Sequence, residues 1–454
     1  MADPPSAQQL SCTTINDFPE EILLEIVKNT KDSYSWDRKA VRKNYYNLCL
    51  VKPFRRVATE FLYYRIDHLG VGLVKLLHTV LLHPELAALI RVLDLGWETA
   101  SDISPTKGDL DLVAEHIEKL ALTAENEKSW ILHLEDDWAC ATVYTAVLLL
   151  HAPNITVLGA PYDRDNFPVF LDEPCFYWAA AFHRNFYAAP QPPIPKYHQL
   201  KSISIIENSI YVEDIIPIFQ LQSLQYLRVS ALVELRTENA WAWPSSAFGK
   251  GMSNIKVLKL DDCGIEPEAQ GLMVSACRAL EEFCYEPSHY LTGKYRPASG
   301  VIDLNPISRA LQASKLSLRK LIFHHTMISA FYDNCTMIAH HFRDFPRLET
   351  IHLDAALIFT AESPFPKLSC ILPSGIKQLC IRHTWYDLFE NLMSFDGPLS
   401  DMVGTAGTVF PSLMQLSIGT GGCFPAPGYD HRLEKEFSHR GIWAYSFWDG
   451  SGIR

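Results

Sequence analysis

One recurring spacing restricts the possible folds of this chain more than any other feature. An aliphatic or aromatic residue is followed by a second three positions on and by a third two positions after that. The pattern occurs at Ile90-Leu93-Leu95, Ile155-Leu158-Ala160, Leu200-Ile203-Ile205, Leu224-Leu227-Val229, Ile255-Leu258-Leu260, Leu280-Phe283-Tyr285, Leu318-Leu321-Phe323, Leu348-Ile351-Leu353, Ile376-Leu379-Ile381 and Leu413-Leu416-Ile418. The last two anchors of each copy share one face of a strand, because strand side chains alternate with a period of two. Successive copies begin between 24 residues (Leu200 to Leu224) and 65 residues (Ile90 to Ile155) apart. Self-similarity on this scale marks a stack of repeats rather than a set of separate globules. A single unit cannot bury its own apolar face, whereas stacked neighbours share a continuous core.

The clearest copy runs from Ile255 to Ile265 (IKVLKLDDCGI). It resembles a leucine-rich repeat with Cys263 at the position that family fills with Asn or Cys. Pro267 follows at a helix start, and Leu272, Met273, Ala276 and Leu280 continue at helical spacing. Val212 to Leu221 and Ile302 to Ser314 carry similar helical patterns. Each unit is therefore expected to be a short parallel strand with a return helix, and the array to span 68–418. In the long first gap, Ile131, Leu132 and Leu134 suggest a further strand. Gly159 to Gln199, rich in Pro and aromatics, reads as an insertion at 159–199. Gly419-Thr420-Gly421-Gly422 reads as a turn. The segment 419–454, with Trp443, Phe447 and Trp448, is expected to cap the open end of the stack.

The N-terminal region has a different rhythm. Residues 1–14 offer little to bury and read as a flexible lead-in. Asp17 and Glu20 have capping-box spacing around Pro19, and Ile22, Leu23, Ile26 and Val27 form an apolar stripe at helical period. After a polar connector, Val41, Tyr45, Leu48 and Val51 make a second stripe that Pro53 ends. Phe54, Val57, Ala58, Phe61 and Leu62 make a third, with Arg55 and Arg56 left for solvent. Three helices this short bury little by themselves, which implies an apolar docking surface. The strings Phe18-Pro19-Glu20-Glu21-Ile22-Leu23, Leu48 to Arg55 and Leu62 to Ile66 resemble an F-box in the form common in fungi, over residues 15–67.

That resemblance implies an α/β chain in which a three-helix F-box precedes a leucine-rich-repeat solenoid. It implies a substrate receptor of an SCF ubiquitin ligase, docking on an SKP-type adaptor and through it on cullin. The adaptor would be touched by Phe18, Pro19, Ile22, Leu23, Ile26, Leu48, Val51 and Phe54. Strand positions between the apolar anchors point the other way, onto the concave surface. They assign Arg228, Lys259, Asp261, Glu282, Glu286, Lys320, His324, His352, Asp354 and Arg382 to target-protein binding. Their mixed signs suit a protein of patterned charge. Two rivals are an F-box protein whose adaptor complex does not ubiquitylate, and an enzyme using Asp163, His183 and Arg184 in the insertion.

Several other functions are disfavoured. A formal charge of −12 has the wrong sign for a nucleic-acid partner. Met1 to Leu10 lacks a basic start and an apolar segment, and no apolar run reaches the roughly 18 residues of a membrane helix, so a cytoplasmic or nuclear location without membrane contact is expected. Eleven cysteines without a C-x-x-C pair argue for a reducing compartment. Nucleotide-loop, nucleophile-elbow and zinc-peptidase motifs are absent from the sequence. The pairs His324-His325 and His340-His341 read as surface histidines rather than metal ligands, and Glu135-Asp136-Asp137 and Asp261-Asp262 as solvated loop ends. No cofactor, metal or catalytic residue is expected.

Overall fold

The computed structural model describes residues 15, 18–29, 38–67, 72–94, 105–134, 140–161, 177–182, 187–188, 197–233, 249–287, 305–324, 339–354, 367–383, 402, 408–421, 435 and 437–449. Three helices come first, α1 (Glu20–Asn29), α2 (Arg38–Cys49) and α3 (Arg55–Tyr64), followed by β1 (Arg65–Asp67), α4 (Gly72–Leu82), α5 (Pro84–Ala87) and β2 (Val92–Asp94). Next come α6 (Lys107–Lys119), α7 (Ala124–Leu134), α8 (Cys140–His151), β3 (Val157–Pro161), β4 (Ser202–Tyr211), α9 (Val212–Phe219), β5 (Tyr226–Val233) and β6 (Val257–Cys263). The remainder is α10 (Pro267–Ala276), β7 (Glu282–Pro287), α11 (Asn305–Ala313), β8 (Lys320–Phe323), β9 (Thr350–Asp354), α12 (Leu368–Ile371), β10 (Gln378–His383), β11 (Gln415–Gly421) and β12 (Trp443–Asp449).

Among the described residues the strands form one twelve-stranded sheet in strict chain order, β1 to β12, and every pair is parallel. Parallel neighbours in chain order require each connection to return across the sheet, which is the layout of a solenoid. The middle anchors fall into one register row: Ile66, Leu93, Leu158, Ile203, Leu227, Leu258, Phe283, Leu321, Ile351, Leu379 and Leu416 lie side by side. None of them is more than 5% exposed. The first anchors, from Ile255 through Ile376, are equally buried, and helix residues such as Ile215, Met273 and Leu311 fill the same core.

At Ala231 and Asp262 the backbone has φ of 55° and 54°. Their neighbours Ser230 and Asp261 are in register on β5 and β6, so the two strands turn together. The turn delivers Leu232 and Cys263 to the core, both fully buried. Cys263 Sγ donates to the Asp261 carbonyl at 3.2 Å, and burial pushes its thiol well up. A small weak donor at this place satisfies a carbonyl that the turn takes out of the ladder.

Just before the strands runs a second row of opposite character. Lys256, Glu281, Arg319, Glu349 and Lys377 follow one another through backbone hydrogen bonds of 2.7–2.8 Å. Their charges alternate from strand to strand. Lys256 pairs with Glu281 at 2.9 Å, and Lys377 with Glu349 at 2.9 Å.

The structure corrects several expectations. The proposed strand at Ile131 to Leu134 is helix α7: Trp130 and Leu134 are buried one turn apart, while Ile131 and Leu132 are 37% and 68% exposed. The ladder begins at β1, inside the stretch assigned to the N-terminal module, and continues past 418. Gly419 to Gly421 lie in β11 rather than a turn, and the supposed cap contributes β12 as another parallel strand. Of the proposed insertion, Tyr177, Trp178, Phe182, Tyr187 and Tyr197 are built into the core. Tyr197 donates to the Leu149 carbonyl of α8 at 2.9 Å, so the described part of this segment is structural backing. Residues 1–14, Asp17, Leu95, Glu135-Asp136-Asp137, Asp163, His183, Arg184 and His325 lie outside the described residues.

Gly271 in α10 shows how closely the return helices pack. A Cβ there would stand 2.9 Å from the Pro306 carbonyl carbon and oxygen in α11. Gly to Ala inside a helix ordinarily stabilises by about 0.5–1 kcal/mol. Here the neighbour is backbone, so we expect Gly271→Ala to lower stability by about 1–3 kcal/mol, read as a drop in the urea midpoint.

Candidate functional site

The N-terminal helices pack around a small core of their own: Leu23, Val27, Tyr45, Phe54, Val57 and Ala58, with Leu24, Val41, Leu48 and Phe61 partly buried against it. Pro19 opens α1 by accepting from the Ile22 and Leu23 amides at 3.0 and 3.2 Å. The helix is apolar on two sides. Leu23 and Val27 point inward, whereas Ile22 and Ile26 are 47% and 36% exposed, and Phe18 continues their line one turn earlier at 39%. Val51 and Leu50 at the end of α2 are 43% and 64% exposed, and Tyr46 is 57% exposed. Glu20 and Arg56 form an ion pair between α1 and α3.

The eight residues expected to touch an adaptor therefore divide. Phe18, Pro19, Ile22, Ile26 and Val51 are exposed, Leu48 is half-buried, and Leu23 and Phe54 are core residues at 7% and 4%. The last two are a correction: apolar periodicity marks a helix but does not say which flank of a wide stripe faces inward. Tyr46 and Leu50 are exposed beside Val51, and apolar periodicity gives them no place because it marks only one side of α2.

The second surface is the sheet face opposite the helices. Arg228, Lys259, Asp261, Glu282, Lys320, His352 and Arg382 are half-buried there, and Glu286 is exposed. Arg228 is hydrogen-bonded to Asp261 at 2.5 Å, and the Lys259 ammonium lies 5.6 Å from the Tyr226 ring centroid, within cation–π range. Lys259 and Lys320 flank Cys284, whose thiol burial pushes up to about 11. Burial thus favours the protonated thiol at neutral pH over the reactive thiolate.

His324 and Asp354 do not meet the expectation of an open binding position. Their side chains are 5% and 1% exposed, with Nδ1 and Oδ1 3.5 Å apart. Alternation along a strand gave them the correct face, but each occupies space beside the other across β8 and β9, so they serve as a buried pair. Arg382, in register with Asp354, and Lys320, four residues before His324, stay half-buried on the same face. Among the described residues no group of three or more His, Cys, Asp or Glu is arranged to hold a metal, and no helix is long and apolar enough to cross a membrane. No family model and no curated protein sequence matches the chain.

Two half-buried histidines give the stability a pH dependence. Burial lowers His352 to about 4, with His324, Lys320 and Arg382 adding positive charge nearby. Burial also lowers His151 to about 4, assisted by His116, whose ring centroid is 5.4 Å away. In the unfolded chain both would titrate near 6.5. Between pH 6.5 and about 4 the unfolded state binds more protons, so their stability contribution is full above 6.5 and is lost as pH falls through that window. Asp214, raised to about 6 by burial, acts in the opposite sense below pH 6. We expect the urea midpoint to fall from pH 7 to pH 5, and His352→Gln to shrink that difference. An unchanged difference would place His352 in water.

Proposed function

We propose that this chain is the substrate-recognition subunit of an SCF-type ubiquitin ligase. Its N-terminal helices form an F-box that docks on an SKP-type adaptor, and its leucine-rich-repeat-like array presents a face for a target protein. The observation that carries this reading is the second apolar side of α1. Phe18, Ile22 and Ile26 stay exposed although Leu23 and Val27 already fill the module's core. The strings Phe18-Pro19-Glu20-Glu21-Ile22-Leu23 and Leu48 to Arg55 supply the resemblance that names the partner. The receptor performs no bond chemistry. It would raise the effective concentration of a target lysine near a conjugating enzyme carried by the same complex.

The open face supports the second half of the reading. Lys259, Glu282, Glu286, Lys320 and Arg382 place charges of both signs over a half-buried sheet. Such a pattern selects a partner by charge register and rejects mismatched ones.

The test compares the two sides of α1. Ile22→Asp would bury a carboxylate at the interface, costing about 3 kcal/mol or more, roughly a hundredfold in adaptor affinity, with unfolding unchanged because Ile22 is already exposed. Leu23→Ala would instead destabilise the module by about 2–4 kcal/mol. Titration calorimetry with purified adaptor and thermal unfolding read the two effects. Equal adaptor affinity for Ile22→Asp and wild type would overturn the docking assignment. Adaptor binding without cullin in the purified complex would point to a receptor that does not ubiquitylate.

A further inference from the structure

The helical module and the sheet have separate hydrophobic interiors. Among the described residues, the apolar cluster of α1–α3 and the cluster of the array share no member. Two bodies with separate cores ordinarily move relative to one another. Yet α3 ends at Tyr64 and β1 begins at Arg65 without an intervening residue, and the Tyr64 carbonyl accepts from the Arg91 amide beside β2 at 3.0 Å.

Asp67, the last residue of β1, sits at the meeting point with its side chain 6% exposed. From the module, Arg42 of α2 donates to the Asp67 backbone carbonyl at 2.8 Å and also pairs with its carboxylate. From the sheet, Arg65 Nε donates to the second carboxylate oxygen at 2.9 Å. The Arg65 guanidinium lies 3.6 Å from Asp94 of β2. A charged relay thus runs from α2 through β1 to β2. Removing one member leaves a buried charge with fewer partners, which makes such links costly to break.

We infer that Asp67 is a positioning residue: its paired arginines lock the N-terminal module at one angle to the sheet in place of a shared apolar interface. The lock fixes the exposed stripe of α1 relative to the open sheet face. Its value for presenting a captured protein rests on the function proposed above. The lock itself does not.

The test uses the full chain with spin labels introduced as non-natural amino acids at Glu25 of α1 and Glu268 of α10, both exposed. Electron–electron distance measurements on wild type should give one narrow distribution. Asp67→Asn and Arg42→Met should each broaden it at least twofold, while the far-UV circular dichroism at room temperature shows both variants still folded and the affinity for the adaptor stays within error. Arg42 is 36% exposed on its helix, so Arg42→Met guards against a loss of folding at Asp67. Distributions as narrow in both variants as in wild type would overturn the inference, as would a broad distribution in wild type. A chain that fails to bind adaptor at all would defeat the functional proposal and leave these distances readable.

Discussion

The whole array depends on one shared surface, the row of apolar side chains from Ile66 to Leu416 in which each member lies against the one before and the one after. No strand of three to ten residues could bury such a side chain alone. Leu258 is fully buried because Leu227 and Phe283 flank it and the shared core of strands and helices closes over it. Removing a middle unit would expose two such faces at once. Burial is therefore cooperative along the stack, and the strength of any unit depends on its neighbours.

That dependence explains what was legible in the residues. The three-anchor spacing marks β2 to β11, and in β4 to β10 both strand anchors are core residues. β1 was hidden because Arg65-Ile66-Asp67 provides one, flanked by the charges that build the joint with α2. β12 was hidden because Trp443 to Asp449 pairs through its backbone in register with β11 while lacking the aliphatic signature. At α7 a contiguous Ile131-Leu132 suggested a strand, but the burial of Trp130 and Leu134 follows the helical period. The candidate surfaces were legible to the level of face. Burial within a face depends on what sits across the strand: His324 and Asp354 hide one another, and Phe54 completes a core that only the packing of α1, α2 and α3 together creates.

Electrostatics divides the labour between the entry and the open face of strands β6 to β10. At the entry, Lys256, Glu281, Arg319, Glu349 and Lys377 alternate in sign, so any strand shifted by one place in the stack would meet a like charge. Exposed pairs of this kind contribute only about 0.2–1 kcal/mol each, but they discriminate between orders of stacking that the uniform apolar row treats alike. On the open face the signs are mixed without alternation, and some charges are satisfied internally, as in Arg228 with Asp261. What remains accessible there is free of the task of setting strand order.

The return path sets the remaining limit. Neighbouring strands sit about 4.8 Å apart, whereas packed helices need about 8–10 Å. A backing made of helices therefore cannot match the sheet strand for strand without bending it or bringing helix axes closer together. At α10 and α11 the sequence takes the second route, for Gly271 carries no Cβ to hold the Pro306 backbone away. Toward the C-terminus the backing, among the described residues, is short: a six-residue 3-10 helix, Ala339–Asp344, before β9 and the four-residue α12 before β10. Thin returns relieve the mismatch at the cost of buried area, and Phe342, Phe345 and Phe410, each 1% exposed, recover part of it by placing large rings where a longer helix would have supplied several smaller side chains. The loose spacing of the repeats follows from this trade, since the strands must match one another while the returns need only fill the space behind them.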